Sequence, residues 1–340
     1  MRKLIYAPNV HVGGGFVLLK SLIQSLDQSE RIILWLDKRA INTFDISPFW
    51  TVNWVEPSFK GRFSAEYSLS KFSKKDDIVL CFHGLPPLFK LDSTIHLFQQ
   101  NRILFRNTDL SRFKMRTRLR IRVEQFLSFY LRKRISTFWV QTPSMMRELT
   151  QWYKSSSVHV RVFPFLFDSL ISNNLTQQPE YDFIYVADGE AHKNHIVLID
   201  AWVILSKQGY KPSLVLTLSD RDAELKRYIN DKAKTFGLNI FDVGVMPHHQ
   251  VLHFYSKSKA LIFPSRSESF GLPLIEASNL SLPILAGELD FVRDVCLPQE
   301  TFDPNSAVSI ARSVNRFLKN TDKPVEIYTA SDFVQAVFKD

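Results

Sequence analysis

The sequence predicts an α/β protein made of two doubly wound, Rossmann-like domains that face each other across a cleft. Short apolar runs alternate with helical patterns along most of its 340 residues, which is typical of parallel sheets. The length suggests about two domains of ordinary size. A polar stretch at 168–180 interrupts the alternation, which then restarts. We therefore expect domains at 1–167 and 181–322 with a linker at 168–180, and a C-terminal segment at 323–340 that is a candidate for crossing back to the first domain.

The first domain is predicted from β-rich runs separated by helical stretches. The expected strands are Lys3–Ala7, Arg31–Leu36, Thr51–Val55, Asp77–Phe82, Ile95–Phe98, Ser136–Gln141 and Val158–Phe163. The expected helices are Phe16–Leu26, Lys114–Leu131 and Pro143–Tyr153.

The second domain repeats the pattern. Its expected strands are Tyr181–Ala187, Ser213–Leu218, Asn239–Val243, Ala260–Pro264 and Pro283–Ala286. Its expected helices are His195–Lys207, Asp220–Phe236, Gln250–Ser256, Phe270–Asn279, Asn305–Lys319 and Ser331–Phe338. Ligands of such sheets bind at the carboxyl ends of the strands, so the cleft is the expected binding site.

The composition excludes several classes of protein. With 45% hydrophobic and 23% charged residues, the chain is neither disordered, collagen-like nor a disulfide scaffold. Cys81 and Cys296 lie far apart, and no Cys/His spacing suggests zinc, so we expect no metal site and a reducing, cytoplasmic location. The apolar start ends at Pro8, too soon for a signal peptide, and no apolar run reaches the ~18 residues of a membrane span.

The net charge of +9 comes from one segment. Residues 102–134 contain eleven basic and two acidic side chains, a local excess of nine. Apolar residues recur there at helical spacing, namely Leu119, Val123, Phe126, Leu127, Tyr130 and Leu131, which predicts an amphipathic helix of about five turns with arginines around its polar side. A solvated helix face, an anionic membrane contact and nucleic-acid binding are all open. We favour a membrane contact through 112–134 and expect no nucleic acid, because no recognised nucleic-acid motif is present.

Three segments could carry chemistry. Gly13-Gly14-Gly15 follows the first strand and precedes a helix, where an anion could approach the backbone; a tight turn is the alternative. Lys193 lies at the equivalent point of the second half, well placed for phosphate unless it is simply solvated. Glu268 lies in a turn and Glu276 in the following helix, roughly 12 Å apart at helical rise. That separation suits two ends of a long ligand with a diphosphate at the helix start; a capping carboxylate with an exposed helix Glu is the alternative.

These segments resemble the retaining, nucleotide-sugar-dependent glycosyltransferases of family four, which have the GT-B fold. Every fixed residue of the family phrase Pro-Ser-x-x-Glu-x-Phe-Gly-x-Pro-x-x-Glu-Ala is present, as Pro264, Ser265, Glu268, Phe270, Gly271, Pro273, Glu276 and Ala277. Lys193-Asn194, Gly244 and Asp303-Pro304 follow in the family's order. Pro8-Asn9-Val10-His11 and Gln100-Asn101-Arg102 look like enzymes of bacterial surface-polysaccharide clusters.

The resemblance implies a role for each of these residues. Lys193 would neutralise the donor diphosphate, Glu268 would hold the sugar hydroxyls and Glu276 the ribose hydroxyls. The remaining donor contacts would come from Gly14, Gly15, Gly244, Val245, Ser269, Phe270, Gly271 and Leu272. The sugar would pass with retained configuration to a lipid-linked saccharide at the inner face of the plasma membrane, in O-antigen or capsule synthesis. The donor would be the only small molecule, with no cofactor and no metal.

One departure and one extra residue qualify this assignment. The family's Arg, five residues before the Lys, is replaced here by Asp188. Arg266 is our candidate for the missing cation. His83 follows a strand and could contact the donor sugar or the acceptor, although a structural loop His is equally consistent with its position.

Three other functions are open at this stage. A non-catalytic partner subunit with the same fold is disfavoured by the intact Glu268, Glu276 and Lys193. An RNA-binding protein would use the basic segment. A sugar phosphorylase would need an added phosphate or cofactor site, for which the sequence shows no motif.

Overall fold

The computed structural model describes residues 2–104, 115–154, 158–165 and 178–320. Within these ranges the chain forms two parallel sheets flanked by helices, which confirms the predicted pair of Rossmann-like units. Most of the predicted linker, the C-terminal segment 323–340 with its predicted helix Ser331–Phe338, and the basic side chains Arg106, Arg112 and Lys114 lie outside the described residues.

The N-terminal sheet has seven strands in the order β3-β2-β1-β4-β5-β6-β7, all parallel. They are β1 Lys3–Ala7, β2 Ile32–Asp37, β3 Thr51–Val55, β4 Ile78–Cys81, β5 Thr94–Phe98, β6 Thr137–Val140 and β7 Val160–Val162. The order turns outwards on either side of β1, where Leu4 pairs with Ile33 on one side and Val79 on the other. Such a switch point opens a crevice at the carboxyl ends of β1 and β4.

The C-terminal sheet has six parallel strands in the order β10-β9-β8-β11-β12-β13. They are β8 Tyr181–Tyr185, β9 Leu214–Leu216, β10 Ile240–Asp242, β11 Ser258–Phe263, β12 Ile284–Gly287 and β13 Glu300–Phe302. Its switch point lies between β8 and β11, so the loops that follow these two strands meet. They are the loops that carry Lys193 and Glu268.

Ten α-helices cover the sheets in the described part of the chain. They are α1 Gly13–Gln24, α2 Phe59–Phe72, α3 Met115–Leu131, α4 Pro143–Tyr153, α5 His195–Lys207, α6 Ala223–Phe236, α7 His248–Ser256, α8 Leu272–Asn279, α9 Asp290–Arg293 and α10 Ala307–Phe317. The sequence analysis missed α2, α9 and β13. The first shows exposed aromatic side chains instead of a core-facing stripe, and the other two are shorter than a pattern can indicate.

The central strands of both sheets are buried on both faces. Leu214, Val215 and Leu216 of β9 are all fully buried in one continuous core of the C-terminal unit. The N-terminal sheet has a separate cluster on each of its faces. Burial on both faces explains why these strands are nearly continuous apolar runs. Cys81 and Cys296 are free thiols inside these cores.

The two units contact each other beside the cleft. The Ser144 amide at the start of α4 donates to Oδ2 of Asp294 at 2.9 Å. Arg147 forms an exposed ion pair with Asp290 of α9 at 3.3 Å. Deeper in the cleft, Gly14 lies against Leu272. The start of α1 therefore faces the start of α8.

Candidate active site

Lys193 and Glu268 form an ion pair at the switch point of the C-terminal sheet. The Lys193 ammonium lies 2.8 Å from Oε1 of Glu268, and the two side chains are 19% and 12% exposed. Burial lowers the pKa of Lys193, but the adjacent Glu268 carboxylate more than offsets this, so the pKa is raised. Lys193 is therefore a permanent cation at neutral pH.

The backbone around this pair is fixed by buried hydrogen bonds. The Asn194 backbone adopts the left-handed conformation. Its side-chain amide Nδ2 donates to the carbonyls of Pro264 at 3.1 Å and Pro304 at 2.6 Å. The Tyr185 hydroxyl donates to the Lys193 carbonyl at 2.7 Å and lies 2.9 Å from Oγ of Ser265. These contacts tie the loop after β8 to the loop after β11, which explains the local roles of Asn194, Ser265 and Pro304 in the motif.

The site has two polar clusters: the Lys193–Glu268 pair, and Glu276 with its partners His248 and Tyr255. Glu276 is buried within α8, with 6% of its surface exposed. Its Oε1 is 3.0 Å from Nε2 of His248, and its Oε2 accepts from the Tyr255 hydroxyl at 3.1 Å. The hydrogen bond to Glu276 raises the pKa of His248. The sequence analysis missed both partners, because nothing in the local sequence of α7 distinguishes them from other polar residues.

The start of α8 lies between these two clusters along the chain. Gly271 precedes the helix with a φ of +71°, a conformation that favours glycine. No side chain caps this helix. Pro273 has no N–H and the Leu274 N–H donates to the Gly271 carbonyl at 2.9 Å, so an anion would have to use the amides of the turn up to Leu272. The Phe270 side chain is buried. Leu272 lies against Gly14 of the N-terminal unit.

The triple glycine permits close packing as well as ligand approach. A Cβ at Gly14 would lie 3.1 Å from Cδ1 of Leu272, and a Cβ at Gly15 would collide with the Gln100 side chain. Gln100 itself donates to the Phe82 carbonyl at 3.0 Å. Packing against Gln100 therefore explains why residue 15 is a glycine. Gly14 lies next to Leu272 at the start of α8.

Gly244 and Val245 form an open loop before α7. Gly244 has a φ of +75°, its amide donates to Oδ1 of Asp242 at 3.2 Å, and space around its Cα is empty. Val245 is exposed. His248 follows three residues later, which brings this loop next to the Glu276 cluster.

The loop before Lys193 is acidic. Asp188 is exposed, and its Oδ1 accepts from the Glu190 amide at 3.4 Å. Burial, followed by the Asp188 charge, raises the pKa of Glu190. Arg266 is half-buried, and its Nε has no hydrogen-bond partner among the described residues. Its backbone amide donates to the His192 carbonyl at 2.9 Å, so this unpaired cation lies beside the Lys193 loop.

His83 lies at the end of β4 on the N-terminal side of the cleft. Its ring packs edge-on against Tyr6 with centroids 5.1 Å apart, and its Nδ1 is buried with no partner among the described residues. Burial lowers its pKa to about 3, so the ring is neutral at physiological pH. A neutral imidazole can exchange hydrogen bonds with a sugar hydroxyl but cannot neutralise phosphate.

Arg102 is a cleft residue to which the sequence analysis assigned no role. It counts toward the basic excess of 102–134 but precedes the stretch 112–134 expected at the membrane, and it is buried at the cleft. Its Nη1 donates to the Glu268 carbonyl at 3.0 Å.

An apolar cavity lies away from the cleft. It occupies about 610 Å³ between α1 and the N-terminal sheet, lined by side chains such as Leu22, Phe82, Phe98 and Trp139. It lacks the mixture of cations, carboxylates and free amides found at the start of α8. We therefore place the candidate site in the cleft.

Residues 168–332 match the family described as glycosyl transferases group 1. The match covers the C-terminal unit, just under half of the chain. The matched residues include Lys193, Glu268 and Glu276 together with His248 and Tyr255. The matched region therefore supplies both polar clusters, and the N-terminal half supplies the opposite wall of the cleft.

Relatives and solved structures agree with this assignment. The chain is 28% identical over 144 residues to the serotype-specific mannosyltransferase WbdA of Escherichia coli (40% of this chain, 17% of the relative). It is 31% identical over 107 residues to the amylovoran biosynthesis glycosyltransferase AmsD of Erwinia amylovora (30% and 29%). The chain thus spans less than a third of the length of these relatives.

The solved structures support the GT-B fold. Anabaena HepE in complex with UDP-glucose superimposes with a TM-score of 0.68 at 12% identity, over 94% of this chain and 90% of that one. The lipopolysaccharide outer core galactosyltransferase WaaB gives 0.60 at 13% identity, over 99% of both chains. At these identities the likeness concerns the fold.

Proposed function

We propose that this protein is a glycosyltransferase that moves a sugar from a nucleoside-diphosphate donor to a saccharide acceptor with retained anomeric configuration. One observation carries the proposal. Glu268 in the turn into α8 pairs with Lys193 of the loop after β8, and Glu276 of α8 binds His248 and Tyr255 of α7. A cation and free amides between two carboxylates match the sequence of sugar, diphosphate and ribose along such a donor.

Each of these residues has its own role in the proposed reaction. Lys193 and the backbone amides of the turn up to Leu272 stabilise the negative charge that develops on the diphosphate as it leaves. Arg266, whose Nε is unpaired, adds the cation that Asp188 does not supply. Glu268 exchanges its bond to Lys193 for bonds to the sugar hydroxyls, and Glu276 binds the ribose. In this proposal cationic groups take the role that a metal ion has in other transferases, and the donor is the only small molecule needed.

The relatives guide the choice of substrate. Their names include a serotype-specific mannosyltransferase, an O-antigen chain mannosyltransferase and an amylovoran biosynthesis glycosyltransferase. We propose a lipid-linked saccharide of bacterial O-antigen or capsule synthesis as acceptor. GDP-mannose is the first donor to test, and the UDP sugars bound by structural neighbours are the second.

Helix α3 supports a membrane location. Most of its predicted apolar stripe is exposed: Leu119 is 67%, Phe126 65% and Tyr130 70% exposed, whereas Leu131 at the end of the helix is buried. Exposed basic side chains flank the stripe, namely Arg116, Arg120 and Arg122. An apolar stripe between cations is typical of helices that lie in a lipid interface. Exposed aromatics of α2, Phe59, Phe63 and Tyr67, extend the apolar surface of the N-terminal unit.

We therefore propose that the N-terminal unit rests on the inner face of the plasma membrane, where the acceptor lipid is found. Anionic lipid would contribute ~1 kcal/mol for each surface cation. Among the described residues, no helix combines the length and hydropathy that a bilayer span requires.

A donor screen tests the proposed activity. We expect one of GDP-mannose, UDP-glucose, UDP-galactose or ADP-glucose to raise the melting temperature, because a ligand that binds only the native state stabilises it. The same donor should then release its nucleoside diphosphate when lipid-linked acceptors are supplied, and proton NMR of the product should show the anomeric configuration of the donor. Inverted configuration would contradict the retaining proposal. No shift with any nucleotide sugar would contradict the donor proposal.

A further inference from the structure

Arg102 is a buried cation of the N-terminal unit that reaches the donor turn of the C-terminal unit. The residue is 6% exposed. Its Nη1 donates to the Glu268 carbonyl at 3.0 Å, and its backbone amide donates to Oγ of Ser269 at 3.2 Å. Its Nε and Nη2 bind both carboxylate oxygens of Glu148 on α4, with Nε 2.6 Å from Oε2. All three guanidinium nitrogens are therefore in use.

The backbone that carries Arg102 is held in place on its own side. The side-chain amide Nε2 of Gln99 donates to the Asn101 carbonyl at 3.0 Å. The backbone N–H of Ile103 donates to Oδ1 of Asn101 at 3.0 Å. Gln125 of α3 donates to the Ile103 carbonyl at 2.8 Å. A guanidinium fixed at its base and by Glu148 is a rigid donor, so its contact with the turn has a defined geometry.

Glu268 is consequently held from both units. Lys193 of the C-terminal unit binds its carboxylate, while Arg102 of the N-terminal unit binds its carbonyl. None of the contacts described for Arg102 involves Glu276, His248 or the Gly244 loop, where we place the nucleoside. Arg102 thus contacts the sugar end of the donor site alone.

We propose that Arg102 is a positioning residue that sets the Glu268–Ser269 turn for the donor sugar when the two units are in contact. The inference rests on the proposed function. It makes the sugar-binding carboxylate dependent on the opposite wall of the cleft, and leaves nucleotide binding to the C-terminal unit. A displacement of about 1 Å at such a turn costs about 100-fold in rate.

The test separates rate from nucleotide affinity. Arg102→Lys keeps the charge but loses the planar fork, and Glu148→Gln weakens the fork without touching the turn. We expect each to lower kcat for GDP-mannose or UDP-glucose by 10- to 100-fold, while the Kd for GDP or UDP changes less than 3-fold. Arg147→Gln is the matched control, because Arg147 lies in the same contact region but does not touch the turn. It should retain wild-type kcat.

Hydrogen exchange gives a readout that needs no donor. Peptides covering 264–272 should exchange faster in Arg102→Lys and Glu148→Gln than in the wild type and Arg147→Gln. Unchanged exchange there, or a kcat within 3-fold of wild type, would overturn the proposal. A parallel loss of kcat and nucleotide affinity would overturn it too, since Arg102 would then support the fold in general. Failure of the wild type to bind any donor would refute the proposed function. The hydrogen-exchange rates of 264–272 would then still show whether Arg102 orders the Glu268–Ser269 turn.

Discussion

At the scale of single residues, His195 carries a stability cost that depends on pH. It is the first residue of α5, 3% exposed, and neither ring nitrogen has a hydrogen-bond partner among the described residues. Its ring packs on Tyr185 with centroids 4.8 Å apart, directly behind the Lys193 loop. Burial lowers its pKa to about 4 from the ordinary 6.5. The folded state therefore keeps this imidazole neutral where the unfolded state protonates it.

The sign of the pH effect follows from this. As pH falls from 6.5 towards 4, only the unfolded chain gains the proton at His195, so the free energy of unfolding decreases, by up to about 3 kcal/mol. His195→Phe keeps an aromatic ring on Tyr185 and removes the titration. We expect its free energy of unfolding, measured in urea by the fluorescence of buried tryptophans such as Trp202, to fall less between pH 7 and pH 5. Parallel pH profiles for the two proteins would contradict the assignment.

The sequence could predict some site residues and not others, for a physical reason. The sequence predicts Glu268, Glu276 and Lys193 because each lies in a short motif that follows a strand. The parallel sheet brings the loops after neighbouring strands together. Arg102 and His248 act through contacts that join positions 166 and 28 residues apart. A single sequence carries no local signal for such contacts, because they depend on how the units and helices pack.

At the scale of elements, α2 and α3 show the same limit. Spacing predicted α3, which the structure confirms at Met115–Leu131, but could not show that the apolar stripe faces outwards. Helix α2 was missed because Phe59, Phe63 and Tyr67 are exposed and Gly61 weakens its helical pattern. The core strands were predicted well, because burial on both faces leaves continuous apolar runs in the sequence.

The lipid contact proposed for α3 can be tested at its exposed side chains. Replacing Leu119, Phe126 and Tyr130 by Ser should abolish flotation with vesicles of phosphatidylcholine and phosphatidylglycerol. Replacing Arg116, Arg120 and Arg122 by Gln should weaken binding about 100-fold, since each cation contributes ~1 kcal/mol on anionic lipid. Pure phosphatidylcholine should bind the wild type poorly.

A matched charge control distinguishes this helix from a general effect of net charge. Arg221, Arg227 and Lys234 are exposed basic residues of the C-terminal unit, and their replacement by Gln removes the same charge. This variant should float like the wild type. Equal flotation of the wild type with and without phosphatidylglycerol would refute the anionic contact.

At the scale of the whole molecule, the proposed function divides binding between the two units. The C-terminal unit holds Lys193, Glu268 and Glu276, and the N-terminal unit brings Arg102 to the Glu268 turn and exposes α3. The basic excess of the sequence is thus divided between a buried cleft residue and an exposed helix. In the proposed arrangement, the N-terminal unit would lie between the donor and an acceptor at the membrane.

The most direct test of this account is the calorimetric affinity for GDP and UDP of the wild type, Lys193→Met and the control Lys207→Met. Lys207 lies at the far end of α5 and packs over Phe236. The account predicts that one of the two nucleotides binds the wild type and Lys207→Met equally well, and binds Lys193→Met at least about 10-fold more weakly, or about 1.4 kcal/mol. Equal affinity for Lys193→Met and the wild type, or no binding of either nucleotide to the wild type, would contradict it.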